Sequence, residues 1–117
     1  MNSIFTKTNI DLTSNSPQTL AILGSDTILP FIFFQATQKE TTSNQVVISI
    51  GSNAPEYNNW LQNTEISDLE VGEFHEFSST RPKKVFSQND EIFIRVVHPC
   101  VSPFKLTAFG FGFPINS

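Results

Sequence analysis

Three short stretches hold the side chains best equipped for chemistry. "ISIGSNAPEYNNWLQN", Ile48 to Asn63, carries the only tyrosine, Tyr57, and the only tryptophan, Trp60, among asparagines directly after an apolar run. Aromatic faces that stack on sugar rings, with amides to bond the hydroxyls, are what a carbohydrate site uses. Tyr57 and Trp60 are therefore candidate ligand residues. Their spacing argues otherwise: three residues apart on an extended chain, their side chains leave on opposite faces. A shared platform needs a bend between them, which Asn58 and Asn59 would permit. The expected role is packing, with Trp60 and Leu61 plugging the end of a sandwich and Tyr57 capping it or meeting a neighbour. Gly51, Asn53 and Pro55 supply the turn chemistry.

"EFHEF" places Glu73 and His75 on one side of a strand and Glu76 on the other. One carboxylate and one imidazole do not close a metal site, which takes at least three protein ligands. His98 precedes Pro99 far along the chain with no matching spacing, so a surface contact between Glu73 and His75 is expected. Asp26, Asp68, Asp90 and the asparagines are calcium-type ligands, but no loop repeats the oxygen spacing calcium needs. Cys100, the sole cysteine, excludes an intrachain disulfide. His98 is close to it in sequence, yet no carboxylate stands ready to orient a nucleophilic pair, so a small structural thiol is expected. Glycine-rich phosphate loops, a Gly-x-Ser-x-Gly elbow and His-Glu-x-x-His are all missing from the sequence. A carboxylate pair for glycoside hydrolysis is a spatial feature and leaves no sequence mark. The expectation is a protein that is not an enzyme, with no cofactor and no metal.

The elements that would position these residues are strands. No stretch repeats apolar residues at helical spacing for three turns, whereas period-2 alternation is common and Phe, Ile, Val and Thr fill the apolar runs. Candidate strands are Ile4 to Leu12, Thr19 to Leu23, Thr27 to Gln35, Gln45 to Ile50, a short extended piece from Ile66, Glu73 to Phe77, Glu91 to Val97 and Phe104 to Phe113. Pro30 cannot donate to a ladder, so the third strand is expected at an edge or with a bulge. "ATQKETTSN" reads as a long polar hairpin loop. "RPKK", Arg81 to Lys84, is a basic turn around Pro82, read as a solvated loop or as a contact to an acidic surface. Turn-rich clusters at sandwich-like intervals predict an all-β chain, a single antiparallel β-sandwich domain over residues 1–117 with about eight short strands.

The last two strands raise a packing problem. A strand covered on one face should alternate apolar with polar. In Glu91 to Val97, Ile92, Ile94 and Val96 share one face, and Phe93, Arg95 and Val97 the other. In Phe104 to Phe113, Phe109, Phe111 and Phe113 oppose Phe104, Leu106 and Ala108. One face fills a core, and the other needs cover from the chain's own N-terminal segment or from another subunit, because monomers seldom leave such patches bare. Candidate interface residues are Phe93, Val97, Phe104, Phe109, Phe111 and Phe113, with Arg95 as a polar rim anchor. Half of these must be ordinary core. A homo-oligomer is favoured, a cyclic trimer ahead of a dimer.

Composition narrows the partners. The chain has 117 residues, a net charge of −4 and 15% charged residues. Ser, Thr, Asn and Gln make up about a third of it, so neutral polar groups wet the surface. Such groups cost less to bury in an assembly than charges do. Acidic balance argues against nucleic acid as a partner. "LAILGSDTILPFIFF" is broken by Gly24, Ser25, Asp26 and Pro30 and falls short of a bilayer span, so no membrane partner is expected. "MNSIFTKTNI" has no basic or apolar leader pattern, so no signal peptide is expected and synthesis in a cytoplasm is.

"VVISIGSNAPEYNNWLQNTEISDLEVGEF", "VFSQNDEIFIRVVHPC" and the closing "GFGFPI" resemble small structural proteins of tailed bacteriophages and their prophages. The resemblance runs over most of the chain and is strongest from Gln45 to Ile115. It rests on the "SIGSNAPEYNN" turn, the "LEVGEF" step and the C-terminal strand pair. It implies a compact β-sandwich of jelly-roll type, found in virions as capsid cement or decoration proteins and in neck or tail parts. It also implies the major capsid protein, or tail and neck proteins, as partners, a place in the virion, and no catalytic residues.

Overall fold

The computed structural model describes residues 1–40, 45–81 and 83–115. Residues 41–44, the tip of the expected hairpin loop, and Pro82, the proline of the expected basic turn, lie outside the described residues. Among those described there is no helix, and nine strands form two antiparallel sheets. They are β1 (Asn2–Asp11), β2 (Gln18–Ile22), β3 (Thr27–Lys39), β4 (Val47–Gly51), β5 (Leu61–Glu65), β6 (Phe74–Ser78), β7 (Val85–Phe86), β8 (Glu91–His98) and β9 (Phe104–Pro114).

The order β1-β9-β3-β6 makes one sheet, with β7 paired to β3 as an extra member, and β2-β8-β4-β5 makes the other. Without the two-residue β7, this is the eight-strand jelly roll: the chain folds as one long hairpin, first strand against last, rolled so that every step along it except β4 to β5 crosses between the sheets. The expected all-β sandwich is what forms, and the topology is that of a jelly roll.

Alternation explains which faces meet. Ile92 and Ile94 are fully buried and Val96 nearly so, as the period of β8 requires. They face Ile32, Phe34 and Ala36 of β3 and Phe104, Leu106 and Ala108 of β9, all in one core with Ile48 and Ile50 of β4. Each large side chain so buried stabilises by about 1.5–3 kcal/mol relative to exposure. Phe34 and Phe77 meet edge to face at 5.5 Å inside it.

β3 is central, between β9 and β6, yet contains Pro30. The register with β9 shifts between Ile28 and Phe31, so the bulge of the two alternatives is realised. The Pro30 carbonyl still accepts from Ser79 N at 3.0 Å. Gly112 of β9 lies so near this bulge that a Cβ there would fall 2.1 Å from the Ile28 carbonyl oxygen.

Three expectations are corrected. Leu61–Glu65 is a strand where the sequence indicates a bend, and Ile66 opens a turn rather than an extended piece. That strand is a mostly exposed edge, so it carries little apolar alternation to read. β3 runs on to Lys39 through residues read as loop, because β9 pairs with it as far as Phe104. β7 is too short to have any periodicity.

Candidate functional site

The outer face of the β1-β9-β3-β6 sheet is where the packing problem of β9 surfaces. Paired residues project to the same side, so registers define rows across the sheet. Ser3, Phe111, Phe31 and Ser78 form one row, and Thr6, Phe109, Phe33 and Glu76 the next. Thr107, Gln35 and Phe74 follow on one side, and Phe113, Ile28 and Val85 on the other. Four half-buried phenylalanines thus form a two-by-two grid. Phe33 and Phe111 meet edge to face at 5.6 Å, and Phe74 leans on Phe109 at 6.1 Å. Phe74 is 60% exposed and Phe113 48%.

Phe33, Phe74, Phe109 and Phe111 line an open groove of about 450 Å³ with no polar side chain in its wall. A second bay, about 350 Å³, is bounded by Met1, Phe31, Phe33, Phe111 and Glu76. The rim is Ser3, Thr6, Gln35 and Ser78, hydroxyls and an amide, with Glu76 as the single charge of these rows. The face is thus an apolar centre inside a largely neutral polar rim.

The candidate interface residues are dispersed by the fold. Phe104 is fully buried beside Leu106 and Ala108, so it has no surface for a partner and that assignment is corrected. Phe109, Phe111 and Phe113 do share the outer face of the first sheet. Phe93, Arg95 and Val97 lie on β8, half-buried on the outer side of the second sheet, so the two groups stand on opposite faces of the sandwich. Phe31, Phe33 and Phe74 complete the aromatic face and were missed. Their signal lay in "PFIFFQ", which is apolar on both parities like β9, and in the exposed parity of "EFHEF".

The Tyr57–Trp60 segment is a packed loop. Trp60 is fully buried; its indole N–H donates to the Leu29 carbonyl at 2.5 Å, and its backbone N–H to Ile50 at 2.9 Å. It thereby bridges β3 and β4, one from each sheet, and has no face to offer a sugar. Tyr57 lies on Phe93 with ring centroids 4.7 Å apart, capping the second sheet. The loop asparagines satisfy each other. Asn53 Oδ1 accepts from the backbone N–H groups of Asn58 and Asn59 at 2.8 and 3.0 Å, and Asn53 Nδ2 donates to Asn58 Oδ1 at 2.8 Å. Asn59 exchanges bonds with Ser52 at 2.8 and 3.0 Å. A Cβ on Gly51 would fall 2.5 Å from Asn59 Oδ1, so the loop closes onto bare backbone there.

The remaining candidates act locally. Glu73 accepts from Glu70 N at 2.9 Å rather than meeting His75, whose ring rests on Phe77 at 4.4 Å. Asp26 and Asp90 brace the loop before β8 by accepting from Gln88 N and Ser87 N at 2.8 and 2.9 Å. Cys100 is buried, and His98 is exposed. Among the described residues, no three of His, Cys, Asp and Glu gather into a metal-holding set. Arg81 and Lys83 are exposed, while Lys84 Nζ lies 5.2 Å from the Phe86 ring centroid.

No protein-family model matches the sequence, and no curated protein matches it. Among solved structures, the fold is similar to a chain of the cyanophage Pam1 capsid asymmetric unit, with a TM-score of 0.58 and 10% identity over 93% of this chain and 85% of that one. It is also similar to a chain of the acid-stable capsid structure of the Helicobacter pylori bacteriophage KHP30. There the TM-score is 0.59 and the identity 10%, over 97% of this chain and 94% of that one. At such identity the likeness is one of fold. It runs over most of both partners each time, so this jelly roll matches whole chains of its own size rather than a domain within a larger chain.

Proposed function

We propose that this chain is a non-enzymatic structural protein of a tailed-phage virion, and within that class a capsid cement or decoration protein. The observation that carries the reading is the aromatic outer face on a jelly roll whose loop polar groups bond one another. The groove on that face has no polar side chain in its wall to orient a substrate, and its apolar centre suits adhesion to another protein surface. The fold likeness to chains of two phage capsids supports the same reading.

Cement subunits act where shell proteins meet, adding apolar and hydrogen-bonded contact across the joints. Repetition by the symmetry of the shell multiplies a modest contact into a large total. The neutral Ser, Thr, Asn and Gln surface keeps the desolvation cost of each contact low. On this reading the protein is made in the host cytoplasm and ends in the virion, with the major capsid protein as its partner.

The experiment is a comparison of particles with and without the protein. Heated particles lacking it should release DNA at a lower temperature, and adding back the purified chain should restore the difference. Equal release temperatures together with antibody labelling at the neck or tail would shift the assignment to those parts. Absence from purified particles would end the reading.

A further inference from the structure

We infer that the aromatic face of the β1-β9-β3-β6 sheet is occupied by a second copy of this chain, packed sheet on sheet about a twofold axis. The inference rests on the reading that this face is an assembly contact and names what sits on it. Three observations carry it.

Shape comes first. A twisted sheet presents a saddle, and the surface that fits a saddle best is another sheet of the same twist, turned by about 30° and lying about 10 Å away. An identical copy supplies that twist without further adjustment. The grid also offers a recess and a projection side by side. The groove between Phe33, Phe74, Phe109 and Phe111 is flanked by the exposed rings of Phe74 and Phe113, so each copy can set a ring into the other.

Charge is the second. Across the rows that bear the phenylalanines, Glu76 is the one ionisable side chain, and the rest of the rim is hydroxyl and amide. Such a face selects a neutral partner. A second copy sets neutral rim against neutral rim and brings only one carboxylate from each side.

Area is the third. From the Thr107 row to the Phe113 row and across four strands, the patch measures about 20 Å by about 15 Å at ordinary strand spacings. With side-chain relief and rim that is on the order of 500–600 Å² per copy. A pair would bury on the order of 1,000–1,200 Å², the lower edge of specific interfaces, so a reversible dimer is expected. The cyclic trimer favoured from sequence needs two different complementary patches on each subunit. One self-complementary face closes at two.

The test is the mass of the purified chain by light scattering or sedimentation between roughly 1 and 200 μM. The expected result is a concentration-dependent approach to twice 13.1 kDa. Phe74→Lys, at a largely exposed ring, should raise the dissociation constant at least tenfold, with an unchanged circular dichroism spectrum and melting temperature at low concentration. Phe93→Lys, on the opposite sheet, should leave it within about twofold. A chain that stays monomeric throughout overturns the inference, as does a dimer broken by Phe93→Lys and spared by Phe74→Lys. A monomer whose binding to phage particles is lost in Phe74→Lys would leave the cement reading standing with a shell protein as occupant. A dimer of the expected kind that is absent from particles would remove the cement role and leave this interface intact.

Discussion

Replacing Trp60 with alanine separates a wedge from a binding platform. The side chain is fully buried between the sheets, and its N–H donates to Leu29 O at 2.5 Å. Truncating a buried tryptophan costs about 3–5 kcal/mol through lost transfer energy and the cavity left behind. The Leu29 carbonyl, deprived of its donor, adds about 1–3 kcal/mol. Together these approach the whole stability of a chain this size, about 5–15 kcal/mol. Trp60→Ala should therefore be largely unfolded or melt far below the wild type. Trp60→Phe keeps most of the volume and should lose only about 1–3 kcal/mol, the cost of the missing donor. Phe74→Ala, at an aromatic ring that is 60% exposed, should stay within about 0.5 kcal/mol in the monomer. The assay is urea unfolding followed by far-ultraviolet circular dichroism, since the two Trp60 variants lose the sole tryptophan reporter. A Trp60→Ala protein as stable as wild type would refute the account of the loop and reopen the ring as a ligand surface.

Other perturbations probe the frame. Gly112→Ala puts a Cβ 2.1 Å from the backbone oxygen of Ile28, so the β3–β9 ladder must open, at a cost of about 1–3 kcal/mol; Gly24→Ala meets nothing within 4 Å and should be neutral or mildly stabilising in thermal melts. Asp11 accepts from the Thr13 hydroxyl at 2.7 Å and the Thr13 N–H at 2.9 Å, and these bonds hold its carboxyl below the usual aspartate value against a smaller opposing effect of burial. Its folded-state value being depressed, its contribution is complete above the unfolded value near about pH 4 and fades as pH falls through the folded value. Thr13→Ala should raise the Asp11 titration midpoint in a carboxyl-detected NMR titration; an unmoved midpoint would show that the hydroxyl does nothing. Lys39, its side chain only 7% exposed, donates to Ser67 O at 2.5 Å and to Glu70 at 3.2 Å, with the Phe104 ring centroid 5.1 Å away. Lys39→Met should cost about 1–3 kcal/mol and speed amide exchange in the turn before β6, whereas Glu70→Gln, on a largely exposed carboxylate, should cost under about 1 kcal/mol.

The sequence by itself determined the fold class and most of the strands. Period-2 alternation in "EIFIRVV" and the two-faced run from Phe104 to Phe113 are local signals, set by which side of a pleat each residue must take. They sufficed to place Ile92, Ile94 and Val96 inward and to show that β9 has apolar surplus. Pro30 in an otherwise regular strand likewise announced an edge position or a bulge, since a residue without an N–H cannot donate to a ladder, and the central place of β3 decided for the bulge. What only the tertiary structure decided was which apolar face is core and which is outside. Phe104 and Phe109 lie on one strand with opposite fates, because the second sheet covers one side of β9, whereas among the described residues no sheet covers the grid on the other. Phe31, Phe33 and Phe74 joined that grid through pairings of β3 with β9 and β6, residues far apart in sequence whose adjacency has no local mark. The split of Phe93, Arg95 and Val97 from the aromatic face arose the same way: β8 and β9 are neighbours along the chain but belong to opposite sheets of the roll. Periodicity is a property of one strand, whereas a surface is shared by several, so the alternation was legible and the aromatic face was not.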